Sequence, residues 1–312
     1  MKLYSSKQLS EKSVAALGAA GFNVTMAKRG EELVQGEDLK KIIADYDVVM
    51  IKLYQKLTAG MLDAVKGRKI IVTLSSGLDH IDKAFFNDER VIIINAPGVN
   101  STSVAEHIFG LILNLKKRIS EGNTLVHVGQ GNIDSLSFLG NDLGGKTIGL
   151  IGAGSITREV ARLAHAFNLN IFCHTKDEHL YSYMLDYGAV FVDLDYLLRN
   201  SDIVNILVPL LPSTRHLISK DKIKLMKTDA TFINAARTEV VDTRALIAHA
   251  DKHPNFKVGL DICVGEYADI LSKPRHNVIV TPHIAGLTVE SKQKIEDTVI
   301  ESLIALSRQT RA

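Results

Sequence analysis

Three short stretches in the second half of the chain hold residue types that can do chemistry together. They are Asn234-Ala235-Ala236-Arg237, Gly259-Leu260-Asp261 through Glu266, and Thr281-Pro282-His283. Each follows an apolar, strand-like run, and together they supply a guanidinium, a carboxylate and an imidazole. A guanidinium offers a planar fork of donors to a carboxylate. An imidazole exchanges protons near neutral pH, and a neighbouring carboxylate favours its protonated form and fixes its orientation. Upstream, Gly149-Leu150-Ile151-Gly152-Ala153-Gly154 ends an apolar run in a glycine pair. A nucleotide cradle followed by these three groups is the equipment for hydride exchange with a 2-keto acid.

The cradle can be read in detail. Thr147–Ile151 has the pattern of a buried strand, Gly152-Ala153-Gly154 follows it directly, and Arg158–Phe167 is helix-like. Glycines at such a turn let the backbone approach a pyrophosphate, and the helix N-terminus presents N–H groups to the anion. Thr157 stands where the fingerprint has its third glycine, a position that serves helix–strand packing more than phosphate contact. The cofactor's ribose should meet the end of the next strand, about twenty residues on. There the chain reads Cys173-His174-Thr175-Lys176-Asp177, with Thr175 in place of the usual acid. Lys176 could pair with a 2′-phosphate, which favours NADP over NAD, whereas Asp177 could still serve NAD.

Strand-like and helix-like patterns alternate through the chain that must position these groups, as in βαβ units with parallel sheets. Early strands are expected at Lys2–Tyr4, Asn23–Ala27, Asp47–Lys52, Lys69–Leu74 and Val91–Asn95, with helices at Glu11–Ala19, Leu39–Asp45 and Ala59–Lys66. One long helix is expected from Ser101 to about Ser120, capped by Ser101 or Thr102, before an irregular glycine-rich stretch over 121–145. Alternation then resumes at Lys146–Ile151 and runs through strands near 170–174, 190–192, 203–208, 230–234, 257–262 and 277–280. Glu290–Arg308 closes the chain as an amphipathic helix whose stripe needs a surface to cover it. Packing it back on the first sheet makes one domain of residues 1–99 plus 286–312, for substrate binding, and another of 100–285, for the nucleotide.

Composition sets the outer bounds. The chain's 312 residues suffice for two cores, and 46% hydrophobic with 23% charged content describes an ordinary globular protein. A net charge of +2 with scattered basic residues points away from nucleic acid. No apolar run approaches the ~20 residues that span a bilayer, so no membrane is expected. Cys173 and Cys263 are the only cysteines, and Met1–Ser6 lacks the apolar stretch of a signal peptide, so a reducing cytoplasm is expected. The histidines lack ligand spacing, so no metal is expected.

The order of these motifs resembles the D-isomer-specific 2-hydroxyacid dehydrogenase family over nearly the whole chain. The resemblance is carried by Asn95–Asn100 with Ala105-Glu106-His107, then Gly145–Gly154, Ile233–Asp242, Gly259–Glu266 and Thr281–Gly286. It implies an α/β fold of two doubly wound parallel-sheet domains, one flavodoxin-like and one Rossmann, with a cleft between them. It also implies that Arg237 binds the substrate's acid group, that His283 is the acid/base and that Glu266 pairs with it, although Tyr267 follows where proline is common. Substrate contacts are expected from Arg237, His283 and the backbone amides of Ser76 and Gly77. Lys52 either reaches a substrate phosphate or is simply solvated. Cofactor contacts are expected from Gly152, Gly154, Ser155, Ile156, Thr175, Lys176, Val208, Pro209, Ala235, Ala236, Arg237, Asp261, His283 and Gly286. His80 and His107 match family positions without known chemistry and are read as structural. Members are usually homodimers joined through the nucleotide domain. The rival classes are a nucleotide-sensing corepressor, disfavoured by the intact Arg–Glu–His set, and formate oxidation, which normally pairs the histidine with glutamine.

Overall fold

Among the described residues of the computed structural model, twelve strands, all parallel to their neighbours, form two sheets. The structure describes residues 1–28, 34–129, 134–262 and 265–309, with Glu266 described in its backbone alone. The chain divides into two compact units, Met1–Asn100 with Thr288–Ala312, and Ser101–Leu287. The first unit runs β1 (Lys2–Ser5), α1 (Glu11–Ala19), β2 (Asn23–Met26), α2 (Gly36–Asp45), β3 (Val48–Ile51), β4 (Lys69–Thr73), α3 (Lys83–Phe86) and β5 (Val91–Ile94). The second begins with α4 (Ser101–Lys117), α5 (Ile119–His127), β6 (Thr147–Ile151), α6 (Ser155–Ala166), β7 (Asn170–His174) and β8 (Ala189–Phe191). It continues with α7 (Leu194–Asn200), β9 (Ile203–Ile206), α8 (Lys220–Ile223), β10 (Thr231–Asn234), α9 (Thr243–Lys252), β11 (Lys257–Asp261), α10 (Ala268–Leu271) and β12 (Val278–Thr281). The last helix, α11 (Val289–Gln309), belongs to the first unit.

The first sheet has the order β2-β1-β3-β4-β5, the flavodoxin-like arrangement. Its central strands β3 and β4 are nearly all apolar and fully buried because both faces are covered. Leu3, Val48, Met50 and Val72 pack with Ile295, Val299, Ile300 and Leu303 of α11, so the stripe of the final helix is buried here. Tyr4, Val49, Ile51 and Ile71 face the other way, onto Leu39, Ile43 and Phe85. The second sheet has the order β12-β11-β10-β9-β6-β7-β8, a doubly wound Rossmann sheet that reverses at the β6/β9 pair. One of its faces is built by α4 and α6, through Ile108, Ile112, Val160 and Ala164.

Four local expectations are corrected. The single helix expected over 101–120 is broken: α4 ends at Lys117, Arg118 takes a left-handed conformation at φ 57°, and α5 starts at Ile119. The break is held by the Arg118–Glu121 ion pair and by Ser120, whose N–H donates to Asn114 Oδ1 at 2.8 Å. Part of the stretch expected to be irregular is therefore helical. Its periodicity was hidden because α5 has no buried residue. The segment expected as a helix at Ala59–Lys66 is a short 3-10 turn, Ala59–Ala64, closed by the Val65 N–H on Leu62 O. Ser101, expected as a cap, is the first helical residue, and its hydroxyl donates to Ser155 Oγ at 2.9 Å. Among the described residues no helix is long and apolar enough to cross a membrane.

One buried charge ties the ends of the first unit together. Glu296 of α11 is 3% exposed, and it accepts from Ser10 N at 2.9 Å, Ser13 Oγ at 2.7 Å and Lys7 Nζ at 2.8 Å. The carboxylate thus sits at the positive end of α1. Burial pushes its pKa up, but the Lys7 ammonium and the serine hydrogen bonds outweigh that and hold it at about 2. Because the folded value is depressed, the stabilisation is complete above the unfolded value of 4.5 and is lost as pH falls toward 2. The shift corresponds to about 3 kcal/mol. Glu296→Gln is expected to lose stability of that order in urea titrations at pH 7 and to flatten the acid limb of the stability curve. An unchanged midpoint and acid limb would contradict the assignment.

Candidate active site

Every site residue that the sequence singles out in the second unit lies at or just beyond the carboxyl end of a parallel strand. The register shows which ends adjoin. Asn234 of β10 pairs with Leu260 of β11, and Asp261 pairs with Thr281 of β12. Arg237, Glu266 and His283 therefore follow three successive strands on one edge of the sheet. Ile151 of β6 pairs with Ile206 of β9 and with His174 of β7, which sets the Gly152 turn between Leu207–Pro209 and the Thr175–Lys176 loop. Ligands of open α/β sheets bind at such a reversal of strand order.

Gly152 has φ +100°, and a Cβ there would lie 2.8 Å from the backbone oxygen of Leu207. Only glycine fits this close approach. Gly154 is exposed, a Cβ on it would meet nothing within 4 Å, and it precedes the 12-residue α6 with no side-chain cap bond. Ser155 and Ile156 open α6, and the N-terminus of a helix is where backbone N–H groups can meet an anion. The Tyr183 hydroxyl donates to the carbonyl of Ala153 and so braces the turn, while the Arg158 guanidinium lies 5.2 Å above the Tyr183 ring. Sequence reasoning did not single out Tyr183, because its 3-10 segment has no pattern that points back to the turn. Thr157, in the third-glycine position, is 0% exposed, so α6 accommodates its small side chain.

Beyond β7, Thr175 is half-buried and Lys176 is exposed, with Lys176 Nζ 3.4 Å from Ser213 Oγ in the loop after β9. The neighbouring Asp177 turns back on its own chain and accepts from Leu180 N at 3.3 Å. Val208 is half-buried and Pro209 exposed. Burial pushes the thiol of Cys173 up to about 12, leaving it unreactive. Cys263 lies outside the described residues.

The half-buried Arg237 leaves the end of β10 through a small hydrogen-bonded turn. Asn234 Nδ2 donates to Arg237 O at 2.9 Å, Ala236 N donates to Asn234 Oδ1 at 2.9 Å, and Arg237 Nη1 donates to Ala236 O at 2.9 Å. Asn234 is 0% exposed, and Ala235 and Ala236 are half-buried. Glu266 lies in the 3-10 turn Gly265–Tyr267, and its side chain lies outside the described residues. His283 is half-buried and takes the left-handed conformation at φ 54°. Asp261 accounts for that. It is 1% exposed, and its carboxylate accepts from Thr281 Oγ1 at 2.6 Å, Ile284 N at 2.8 Å and Ala285 N at 2.8 Å. Asp261, expected at the nicotinamide, thus also shapes the loop that carries His283 and Gly286. Since Thr281 donates to Asp261, it accepts from His107 Nε2, 3.0 Å away. No sequence signal links His107 to this loop.

In the first unit, Lys52 follows β3 and Ser76-Gly77 follow β4, two strands in register at Ile51 and Thr73. Lys52 is half-buried, and its N–H donates to Gln55 Oε1 at 2.9 Å. Asn95 Nδ2 donates to Ser76 O at 2.9 Å, and Ser76 Oγ donates to Asn100 Oδ1 at 3.0 Å.

A glycine turn at the reversal of a doubly wound sheet, with a guanidinium and an imidazole on the neighbouring strand ends, defines a dinucleotide-dependent oxidoreductase of the Rossmann class. Comparison with known proteins makes that specific. Residues 109–285 match the family model of the D-isomer specific 2-hydroxyacid dehydrogenase NAD binding domain. The chain is 33% identical over 278 residues to a hydroxypyruvate reductase of Thermotoga maritima, covering 87% of this chain and 88% of that one. It is 34% identical over 278 residues to a glyoxylate reductase of Thermofilum pendens, covering 86% and 81%. Among solved structures, D-lactate dehydrogenase from Aquifex aeolicus, complexed with NAD and lactic acid, superposes with a TM-score of 0.82 at 29% identity, covering 99% and 96%. An acyclic imino acid reductase in complex with NADPH and D-Arg gives 0.86 at 25% identity, covering 99% and 98%. The chain belongs to the D-isomer specific 2-hydroxyacid dehydrogenase family, and it is an oxidoreductase that uses a nicotinamide nucleotide.

Gly152→Ala places a methyl group against Leu207 O and is expected to weaken NADH and NADPH binding by about tenfold or more, some 1.4 kcal/mol. Fluorescence titration checks this. A Kd equal to that of the unsubstituted protein would show that the turn does not cradle the nucleotide.

Proposed function

We propose that the protein is a D-2-hydroxyacid dehydrogenase that works as a reductase of a small 2-keto acid such as glyoxylate or hydroxypyruvate, with NADPH favoured over NADH. The observation that carries this is the loop after β12, where buried Asp261 holds His283 in a left-handed conformation at the strand end beside those that lead to Glu266 and Arg237. The names of the relatives support the substrate class. Lys176, placed across from Ser213, supports the cofactor preference, as does Asp177, which is engaged with its own turn.

The bound nicotinamide supplies a hydride to the carbonyl carbon of the substrate. Arg237 binds the substrate carboxylate and polarises the keto oxygen with its fixed fork of donors. The backbone amides of Ser76 and Gly77, in the loop after β4, are assigned to binding a substrate carboxylate. As the carbonyl π electrons move onto oxygen, His283 delivers its proton there, and the product is the D-2-hydroxy acid. Glu266 keeps the imidazole protonated and oriented for that step. Acid–base help of this kind is worth roughly 10²–10⁴-fold.

The protein is further proposed to be a homodimer through α5 and the segment after it. Ile119, Val126, Val128, Leu136 and Leu139 are 56%, 65%, 66%, 72% and 77% exposed, a density of bare apolar side chains that a partner surface would cover.

Two experiments test these assignments. A panel of glyoxylate, hydroxypyruvate and pyruvate with NADPH and NADH should show turnover, faster with NADPH. His283→Ala or Arg237→Ala should lower it at least about a hundredfold with the fold intact. Absence of turnover across the panel, or near-normal rates in either variant, would remove the mechanism. Sedimentation equilibrium should give a dimer that becomes a monomer in the double variant Val126→Asp, Leu139→Asp. A monomeric parent protein would refute the proposed assembly.

A further inference from the structure

A buried chain of hydroxyl groups in the first unit ends on the loop proposed above to bind the substrate carboxylate. Thr73, Ser75 and His80 are 0%, 7% and 7% exposed. Thr73 Oγ1 lies 2.8 Å from His80 Nε2 and 2.9 Å from Ser75 Oγ, and Ser75 Oγ donates to Gly77 O at 2.7 Å. A hydroxyl carries a single proton, and a carbonyl oxygen can only accept. Ser75 therefore uses its proton on Gly77 and accepts from Thr73. Thr73 uses its own on Ser75 and accepts from His80, whose Nε2 must carry a hydrogen. The carbonyl at one end dictates the tautomer of the imidazole at the other.

The same tripeptide is held on its remaining carbonyls. Ser75 O accepts from Ala96 N at 3.2 Å, and Ser76 O accepts from Asn95 Nδ2 at 2.9 Å. All three carbonyls from Ser75 to Gly77 are thus engaged, while the N–H groups of Ser76 and Gly77 donate to no group among the described residues. With the carbonyls fixed, the two successive amides are left to donate to an anion.

We infer that His80, Thr73 and Ser75 form a positioning relay that orients the Ser76 and Gly77 amides toward the carboxylate of the substrate. The inference rests on the proposed role of those amides and gives His80 and Thr73 a task beyond packing. Removing the Thr73 hydroxyl leaves a buried acceptor on Ser75 and a buried donor on His80 without their partner, which the loop can relieve only by turning.

The test compares Thr73→Val, which keeps the shape and deletes the hydroxyl, with Thr73→Ser, which keeps the hydroxyl. In Thr73→Val the KM for the best keto acid is expected to rise about tenfold, the effect of losing one good hydrogen-bonded contact. The kcat and the Kd for NADPH should stay within about twofold, and Thr73→Ser should restore KM. A KM in Thr73→Val equal to wild type, or a parallel loss of kcat, KM and nucleotide affinity in both variants, would overturn the relay. Amide NMR separates the relay from the assignment beneath it. Ser76 and Gly77 resonances should shift on adding glyoxylate to wild type, and should already differ between the two free variants. Amides that respond to glyoxylate but are the same in both variants would sink the relay alone. Amides indifferent to glyoxylate would sink the carboxylate assignment, and the inference with it.

Discussion

The buried carboxylate of Asp261 is the contact on which the presentation of the imidazole depends. A charge that is 1% exposed is tolerable only if its lone pairs are satisfied. Here a hydroxyl and two backbone N–H groups satisfy it, all from the loop 281–285. The left-handed conformation of His283 costs about 1–2 kcal/mol for a residue with a Cβ. Hydrogen bonds to a charged group contribute about 1.5–3 kcal/mol each, so the bonds to Asp261 outweigh the strain. The His107–Thr281 hydrogen bond extends this support into α4.

The parallel sheet explains why the candidate site residues of the second unit collect along one edge. In a parallel sheet all strands end on the same side, and each βα connection begins there. Residues as separate in sequence as Gly152, Arg237 and His283 therefore leave the same edge of the second unit's sheet. The order of strands then sorts the tasks. The β6/β9 reversal provides the glycine turn, while β10, β11 and β12 lead to Arg237, Glu266 and His283, the side chains proposed to act on protons and carboxylates.

Both units use buried polar groups as fasteners. Glu296 joins α11 to the start of α1, and its burial is offset by an ammonium and by serine and backbone donors. The Thr73–Ser75 hydroxyls act on a smaller scale, fixing a loop rather than a helix. In each case the group is worth most where its hydrogen bonds are complete, because a lone partner left in the interior costs more than the bond contributes.

Local pattern alone determined much of this protein. Apolar runs such as Val48–Ile51 and Thr147–Ile151 marked the strands, and the glycine pair after β6 marked the turn, because these signals depend on neighbours along the chain. The resemblance of five motifs pointed to Arg237, Glu266 and His283 and to the family. Tertiary structure alone decided which strand ends adjoin, that α4 breaks at Arg118, that Glu296 fastens α1, and that His107 and Asp261 share Thr281. The same is true of the direction of the hydrogen bonds from His80 to Gly77. The reason is that periodicity records which way a side chain faces, whereas a hydrogen bond depends on which distant group the fold brings within three ångströms.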